Sequence, residues 1–161
     1  MSLRPIAPRA ARRPRHGLDA RRPAMLYEGA VETASMTPMP PIIRPATEDD
    51  LPAIAAIYND AVRHTTAIWN ETVVDVDNRR AWHAARLAAG YPVLVGERDG
   101  AVVAYGSFGD FRAFDGYRFT VEHSVYVAEG ARRLGVASAL VAALADAAAA
   151  LGKHVMVAGI A

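Results

Sequence analysis

The alternation of apolar and polar positions becomes regular only from about residue 40 onward. Ile42-Ile43-Arg44-Pro45 reads as a short first strand. Thr47 precedes Glu48, Asp49 and Asp50, a hydroxyl cap and three acids that suit the positive end of a helix. Leu51, Ile54, Ile57 and Ala61 then recur at helical spacing and predict an amphipathic helix over 48–63. The pattern lapses between Thr65 and Val76, an irregular loop with Trp69 near its centre. A second helix is predicted over 78–89, closed by Gly90 at the position after its C-cap. Residues 91–97 form an apolar run, Asp99-Gly100 is a hairpin turn, and 101–108 is the antiparallel partner. A polar loop at 109–117 leads to a strand over 120–127, an Ala-rich helix over 134–151 ending at Gly152, and a last strand over 154–160. The order β-α-α-β-β-β-α-β places the chain in the α+β class.

Composition narrows this further. Hydrophobic residues make up 52% of the 161, enough to bury the core of one ordinary domain. The absence of cysteine excludes disulfides and thiolate metal sites, and it points to a reducing, cytoplasmic setting. His64, His83 and His154 fall on separate elements without ligand spacing, so no metal is expected. No apolar run approaches the roughly 18 residues of a membrane span. The net charge of +1 hides an asymmetry. Residues 1–24 carry seven arginines against Asp19, a charge of +6, while the remaining 11 basic and 16 acidic residues give −5. The acidic body is not that of a nucleic-acid binder.

Two regions follow. Residues 1–40, rich in Arg, Pro and Ala and without periodicity, read as a disordered extension, and 41–161 as the folded domain. For the extension a basic arm, a targeting peptide and a plain solvated tail all stay open, as does a start at Met36 or Met39. Pro5, Pro8, Pro14 and Pro23 oppose the helix a targeting peptide needs.

The most informative junction lies after Val125-Tyr126-Val127. The strand ends there and Arg132-Arg133-Leu134-Gly135-Val136-Ala137 turns into a helix. Small residues at 135 and 137 let a ligand approach the main chain. The first amides of a helix lack internal partners and carry partial positive charge, which suits a pyrophosphate. Arg132 and Arg133 add charge-assisted donors. The turn lacks both the G-x-G-x-x-G of a dinucleotide fold and the Gly-Lys-Ser/Thr of a P-loop. An ordinary βα turn with two surface arginines is the plainer reading.

Between Phe108 and Val127 the chain reads FGDFRAFDGYRFTVEHSVYV. Together with Ile57-Tyr58-Asn59, Ala67-Ile68-Trp69-Asn70, Gly90 to Val95 and Gly152 to Ile160, it resembles one branch of the GNAT N-acetyltransferases. That branch comprises the phosphinothricin, methionine sulfone and methionine sulfoximine N-acetyltransferases, and the resemblance covers about residues 42–160. It implies a mixed, mostly antiparallel sheet flanked by helices, acetyl-CoA as cosubstrate, and a small amine substrate. A homodimer fits the branch.

By the same resemblance, the turn from Arg132 through Leu134, Gly135, Val136 and Ala137 to Ser138 clamps the pyrophosphate of coenzyme A. Val125, Tyr126 and Val127 meet its pantetheine arm and thioester with main-chain groups. Glu122 becomes the candidate base that takes the amine proton. Its alternative is a strand carboxylate facing solvent. His123, on the opposite side of the strand, is read as structural. In the 109–118 loop Arg112, Asp115, Gly116, Tyr117 and Arg118 are the candidate substrate contacts, the two arginines as anchors for a carboxylate. The alternative is a solvated turn. Trp69 and Phe111 are either apolar walls of the site or members of a core or dimer contact.

Related enzymes continue past the last strand with a helix and two strands. The domain is therefore expected to lack these, together with an Asn contact to the coenzyme. An uncovered edge and sheet face would make such a chain unstable or prone to aggregate. The leading expectation is acetyl transfer to the amine of a small amino-acid analogue, directly and without an acyl-enzyme. A truncated remnant that at most binds coenzyme A or a partner chain is the alternative. A nucleic-acid binder using the Arg-rich arm is a third, weaker one.

Overall fold

The computed structural model describes residues 39–160. The expectations for residues 1–38 lie outside the described residues. Five strands form one sheet in the order β1-β2-β3-β4-β5: Ile42–Pro45, Val93–Arg98, Ala101–Asp110, Thr120–Val127 and Val155–Ala158. The first four are antiparallel to their neighbours, and β4 pairs with β5 in parallel. Helices α1 (Leu51–His64) and α2 (Val76–Ala88) precede β2, and α3 (Val136–Ala150) joins β4 to β5. The element order expected from the sequence is the observed one.

Strand alternation divides the core into two layers. Leu94, Ala104, Phe108 and Val121 meet Val136, Leu140, Leu144 and Ala148 of α3 on one face. Val93, Val95 and Tyr105 meet Leu51, Ile54 and Ile57 of α1 on the other. Helix α3 lies close to the sheet because Gly96 and Gly106 have no side chain. A Cβ at Gly96 would stand 2.6 Å from Val136 Cγ1, and one at Gly106 3.0 Å from Leu144 Cδ1.

Element boundaries moved where local chemistry outweighed periodicity. The first acids form a separate 3-10 turn, Glu48–Asp50, before α1 begins. The Asp50 carboxylate accepts from the amide and hydroxyl of Thr47 and from both terminal nitrogens of Arg44. Arg44 also donates to Glu97, so β1, β2 and the start of α1 share one charged knot. Arg44 is the main reason that the Asp50 carboxyl is held down at about 2. Helix α2 starts two residues before its predicted start because Asp75 caps it, accepting from Asn78 N–H at 2.8 Å. The Asp99-Gly100 turn has positive φ at both residues, the geometry that matches strand twist in a two-residue hairpin. Helix α3 starts two residues later than predicted, since Arg133 and Gly135 both take positive φ.

Candidate active site

Strand β4 provides the centre of the site. Phe111 N–H donates to Thr120 O, and Ala128 N–H to Val103 O, so the even-numbered residues of β4 turn their main chain toward β3. The odd-numbered residues turn theirs toward β5. Pairing with β5 runs only from Thr120 to His123. Val125 and Val127 therefore present main-chain groups to a gap where the two strands part. Tyr126 does not, because its main chain pairs with Tyr105 of β3. A cleft of about 700 Å³ opens at this fork, lined by Glu122, His123, Ser124, Val125 and Tyr126 of β4, by Ala158, Gly159 and Ile160 at the end of β5, and by Ala67 and Trp69. Trp69 is 92% exposed yet faces the cleft, so it is a wall and no part of the core.

The turn before α3 borders the same end of β4. Gly135, at φ +80, caps the helix, and a Cβ there would meet nothing within 4 Å. Ala139 is the first residue whose amide bonds within the helix, to Gly135 O at 3.1 Å. The amides of Val136, Ala137 and Ser138 thus have no helical acceptor. Ala137 and Ser138 are exposed, whereas the Val136 side chain is core. The two arginines differ. Arg132 turns back, its Nε donating to Val127 O at 3.4 Å and its Nη2 lying 4.0 Å from Asp60. Arg133 is exposed and has no carboxylate partner among the described residues.

Glu122 and His123 face opposite sides of the sheet. Tyr126 packs among the α1 layer and Val125 and Val127 among the α3 layer, which assigns the even side chains, Glu122 included, to the α1–α2 face. The Glu122 carboxylate reaches the cleft end of β5, since a Cβ on Gly159 would stand 3.4 Å from its Oε1. His123 Nδ1 is buried without a hydrogen-bond partner. On the α1–α2 face Glu122 also lines a second, smaller cavity of about 100 Å³ with Ser124, Tyr126, Tyr105, Ser107, Tyr58, Arg79, Trp82 and Arg86. Glu122 is thus shared between the large cleft and a polar recess on the helix side.

The loop residues singled out from the sequence stand elsewhere. Asp115, Gly116 and Tyr117 form a 3-10 turn, and Arg118 Nη1 donates to Asp115 O at 3.1 Å. Arg112 lies over the Phe111 ring at 4.9 Å and Arg118 over Phe119 at 4.4 Å. None of these five residues, nor Phe111, lines the cleft or the recess. Besides Glu122, the recess is lined by Tyr58, Arg79 and Arg86, to which the sequence assigned no role in the site. Their signal was the spacing of Arg79, Trp82 and Arg86, which share one stripe of α2. Among the described residues no group of three or more acidic or histidine side chains could hold a metal ion.

A mixed sheet parts beyond the paired residues of its fourth and fifth strands, beside a helix start whose cap, Gly135, has no side chain to fill the free amides. Residues 54–161 match the acetyltransferase (GNAT) family, and the chain belongs to it. It is 57% identical over 118 residues to the L-methionine sulfoximine/L-methionine sulfone acetyltransferase of Salmonella typhimurium, covering 73% of this chain and 69% of that protein. An L-amino acid N-acyltransferase of Escherichia coli is 58% identical over the same shares. A phosphinothricin N-acetyltransferase of Alcaligenes faecalis is more distant, at 44% over 63% of this chain and 52% of that one. Among solved structures, a Salmonella typhimurium acetyltransferase with its cofactor acetyl-CoA superposes with a TM-score of 0.72 at 56% identity, covering 74% of this chain and 69% of the other. The alternative of a non-catalytic remnant finds no support among these relatives, which are named as transferases. No helix of the described residues is long and apolar enough to cross a membrane.

Proposed function

We propose that the chain moves an acetyl group from acetyl-CoA to the α-amine of a small amino-acid analogue of the methionine sulfone, methionine sulfoximine or phosphinothricin kind. The observation that carries this reading is the position of Glu122 at the parting of β4 and β5, open to the large cleft and to the polar recess at once.

Three features support the cosubstrate: the size of the cleft, the main chain of Val125 and Val127 turned away from β3, and the amides at the start of α3, which adjoin the end of β4 and do not line the cleft itself. Acetyl-CoA supplies the acetyl thioester. The main chain of Val125 and Val127 would hold the pantetheine arm and place a donor at the thioester carbonyl. Amides 136–138 and the Arg133 guanidinium would hold the pyrophosphate, with the helix dipole adding to the attraction. Arg132 fastens the turn to β4 and α1. Glu122 takes the proton that the attacking ammonium must lose. Trp69 walls the cleft on the loop side.

The test is direct. Incubation with acetyl-CoA and methionine sulfone should release free thiol in proportion to N-acetylated product. Glu122→Gln should lower kcat by roughly 100-fold or more while acetyl-CoA still binds. No thiol above the acceptor-free blank refutes the function. A Glu122→Gln enzyme with wild-type kcat refutes the base assignment alone.

A further inference from the structure

Helix α2 turns toward the sheet a face that ordinary amphipathic packing would make apolar. Arg79, Trp82 and Arg86 share that face at three- and four-residue spacing. Trp82 packs edge-on against Tyr105, with ring centroids 5.9 Å apart. Arg79 is stacked at 4.4 Å over the Tyr58 ring and 5.1 Å from that of Trp82, and its Nε and Nη2 donate to the side-chain oxygen of adjacent Asn78. Arg86 makes one hydrogen bond, to Phe108 O at 3.3 Å. Among the described residues neither guanidinium has a carboxylate within 4 Å. The donors that these contacts leave free are not sealed in the core, so a ligand entering the recess can take them up.

Their place in the register says which ligand. Gly109 is the cross-strand partner of Glu122. A Cβ on Gly109 would fall 2.0 Å from Arg86 Nη1, so the guanidinium occupies the space a side chain there would fill. Arg86 and Glu122 therefore stand over one hydrogen-bonded residue pair, whose Cα atoms are about 5.5 Å apart in such a ladder. Two fixed cations against one carboxylate leave the recess one positive charge in excess when Glu122 is ionised. An α-amino acid is the complement: its amine and carboxylate sit on one carbon, and their partners must be neighbours.

Resting on the acetyltransferase reading above, we propose that Arg86 is the residue that selects substrates with a free α-carboxylate, receiving that group beside Glu122 while Arg79 adds the second positive charge. The site is thus specific for free amino acids and against amines or amino-acid amides. Arg112 and Arg118, stacked on their own neighbouring rings, do not line the recess.

The experiment compares methionine sulfone with its carboxamide as acceptors, at saturating acetyl-CoA. The wild type should prefer the acid by roughly 10- to 100-fold in kcat/KM, the range of a charge-assisted hydrogen bond. Arg86→Gln should lose most of that factor on the acid through KM, keep the amide within about 3-fold, and leave the KM of acetyl-CoA unchanged. Arg86→Lys, which keeps charge without the fork, should fall between. Gly109→Ala displaces the guanidinium without removing it and should erode the same preference. Arg98→Gln, at the β2–β3 hairpin, should leave both substrates untouched. Equal losses on acid and amide in Arg86→Gln, or an unchanged ratio, overturn the proposal and leave the acetyltransferase reading standing. An active wild type with no preference for the acid does the same. A wild type that turns over neither acceptor overturns that reading, and this proposal with it.

Discussion

Gly135→Ala separates the conformational role of the turn before α3 from its role as an anion site. The residue sits at φ +80, and a Cβ there would meet nothing within 4 Å. The substitution therefore removes no packing and creates no clash. Its cost is the left-handed backbone, about 1–2 kcal/mol for a residue with a Cβ, partly offset by the stiffer unfolded chain. A net loss of about 1 kcal/mol lowers Tm by roughly 3–5 °C in a domain of this size. The same left-handed residue sets the course of the chain into Ala137 and Ser138, whose amides are proposed to hold the pyrophosphate, so strain at 135 should weaken that hold. Coenzyme A at 100 times its Kd should stabilise the wild type by about 2.7 kcal/mol. A tenfold loss of affinity removes about 1.4 kcal/mol of that. Thermal unfolding across a coenzyme A titration reads both effects. An unchanged ligand-free Tm would refute the conformational reading. A lowered Tm with the full ligand-induced shift intact would refute the clamp.

Two further outcomes follow from the fold. Asp50→Asn should destabilise at pH 7 by about 2 kcal/mol, the linkage value of a carboxyl moved from 3.8 to about 2. A depressed carboxyl pKa stabilises fully above its unfolded value and loses that contribution as pH falls through the folded one. The gap between variant and wild type in urea melts should thus shrink to about half by pH 3, and a gap that does not narrow would be the wrong sign for this mechanism. Leu144→Ala, at a fully buried position of α3 against Gly106, should cost about 3 kcal/mol in the same assay.

Much of this fold was legible because its helices and strands each bury one face. Leu51, Ile54 and Ile57 repeat at 3.6, and all three are buried in the α1 layer. The strand over 120–127 was found at its observed limits. Boundaries slipped where capping decided them. Asp75 started α2 early through one side-chain hydrogen bond, and the positive φ of Arg133 and Gly135 started α3 late. Neither event leaves a trace in hydrophobic periodicity. The outer ends of β2 and β3 slipped for another reason: a strand follows its partner's register, which a single run of sequence does not contain.

The site divides along the same line. Its proposed coenzyme half is local, a strand ending at Val127 and a helix starting at Val136, so a short motif can carry it. The direction of the Val125 and Val127 main chain follows from two flanking hydrogen bonds and could be anticipated once β4 was known to pair with β3. The proposed amine half is not local. It is assembled from Tyr58, Arg79, Trp82 and Arg86 on two helices and from alternate residues of two strands. The sequence draws the eye to the arginines beside Glu122 along the chain, Arg112 and Arg118, because proximity in sequence stands in for proximity in space. The sheet breaks that equivalence. Antiparallel pairing sets Gly109 opposite Glu122, and the missing side chain at Gly109 admits a guanidinium from a helix more than thirty positions upstream of the proposed base. In sequence, an arginine on the inward stripe of α2 reads as an error of amphipathicity. In the proposed site it is the counterpart of a substrate carboxylate, and the expected acid-over-amide preference is the measurable form of that difference.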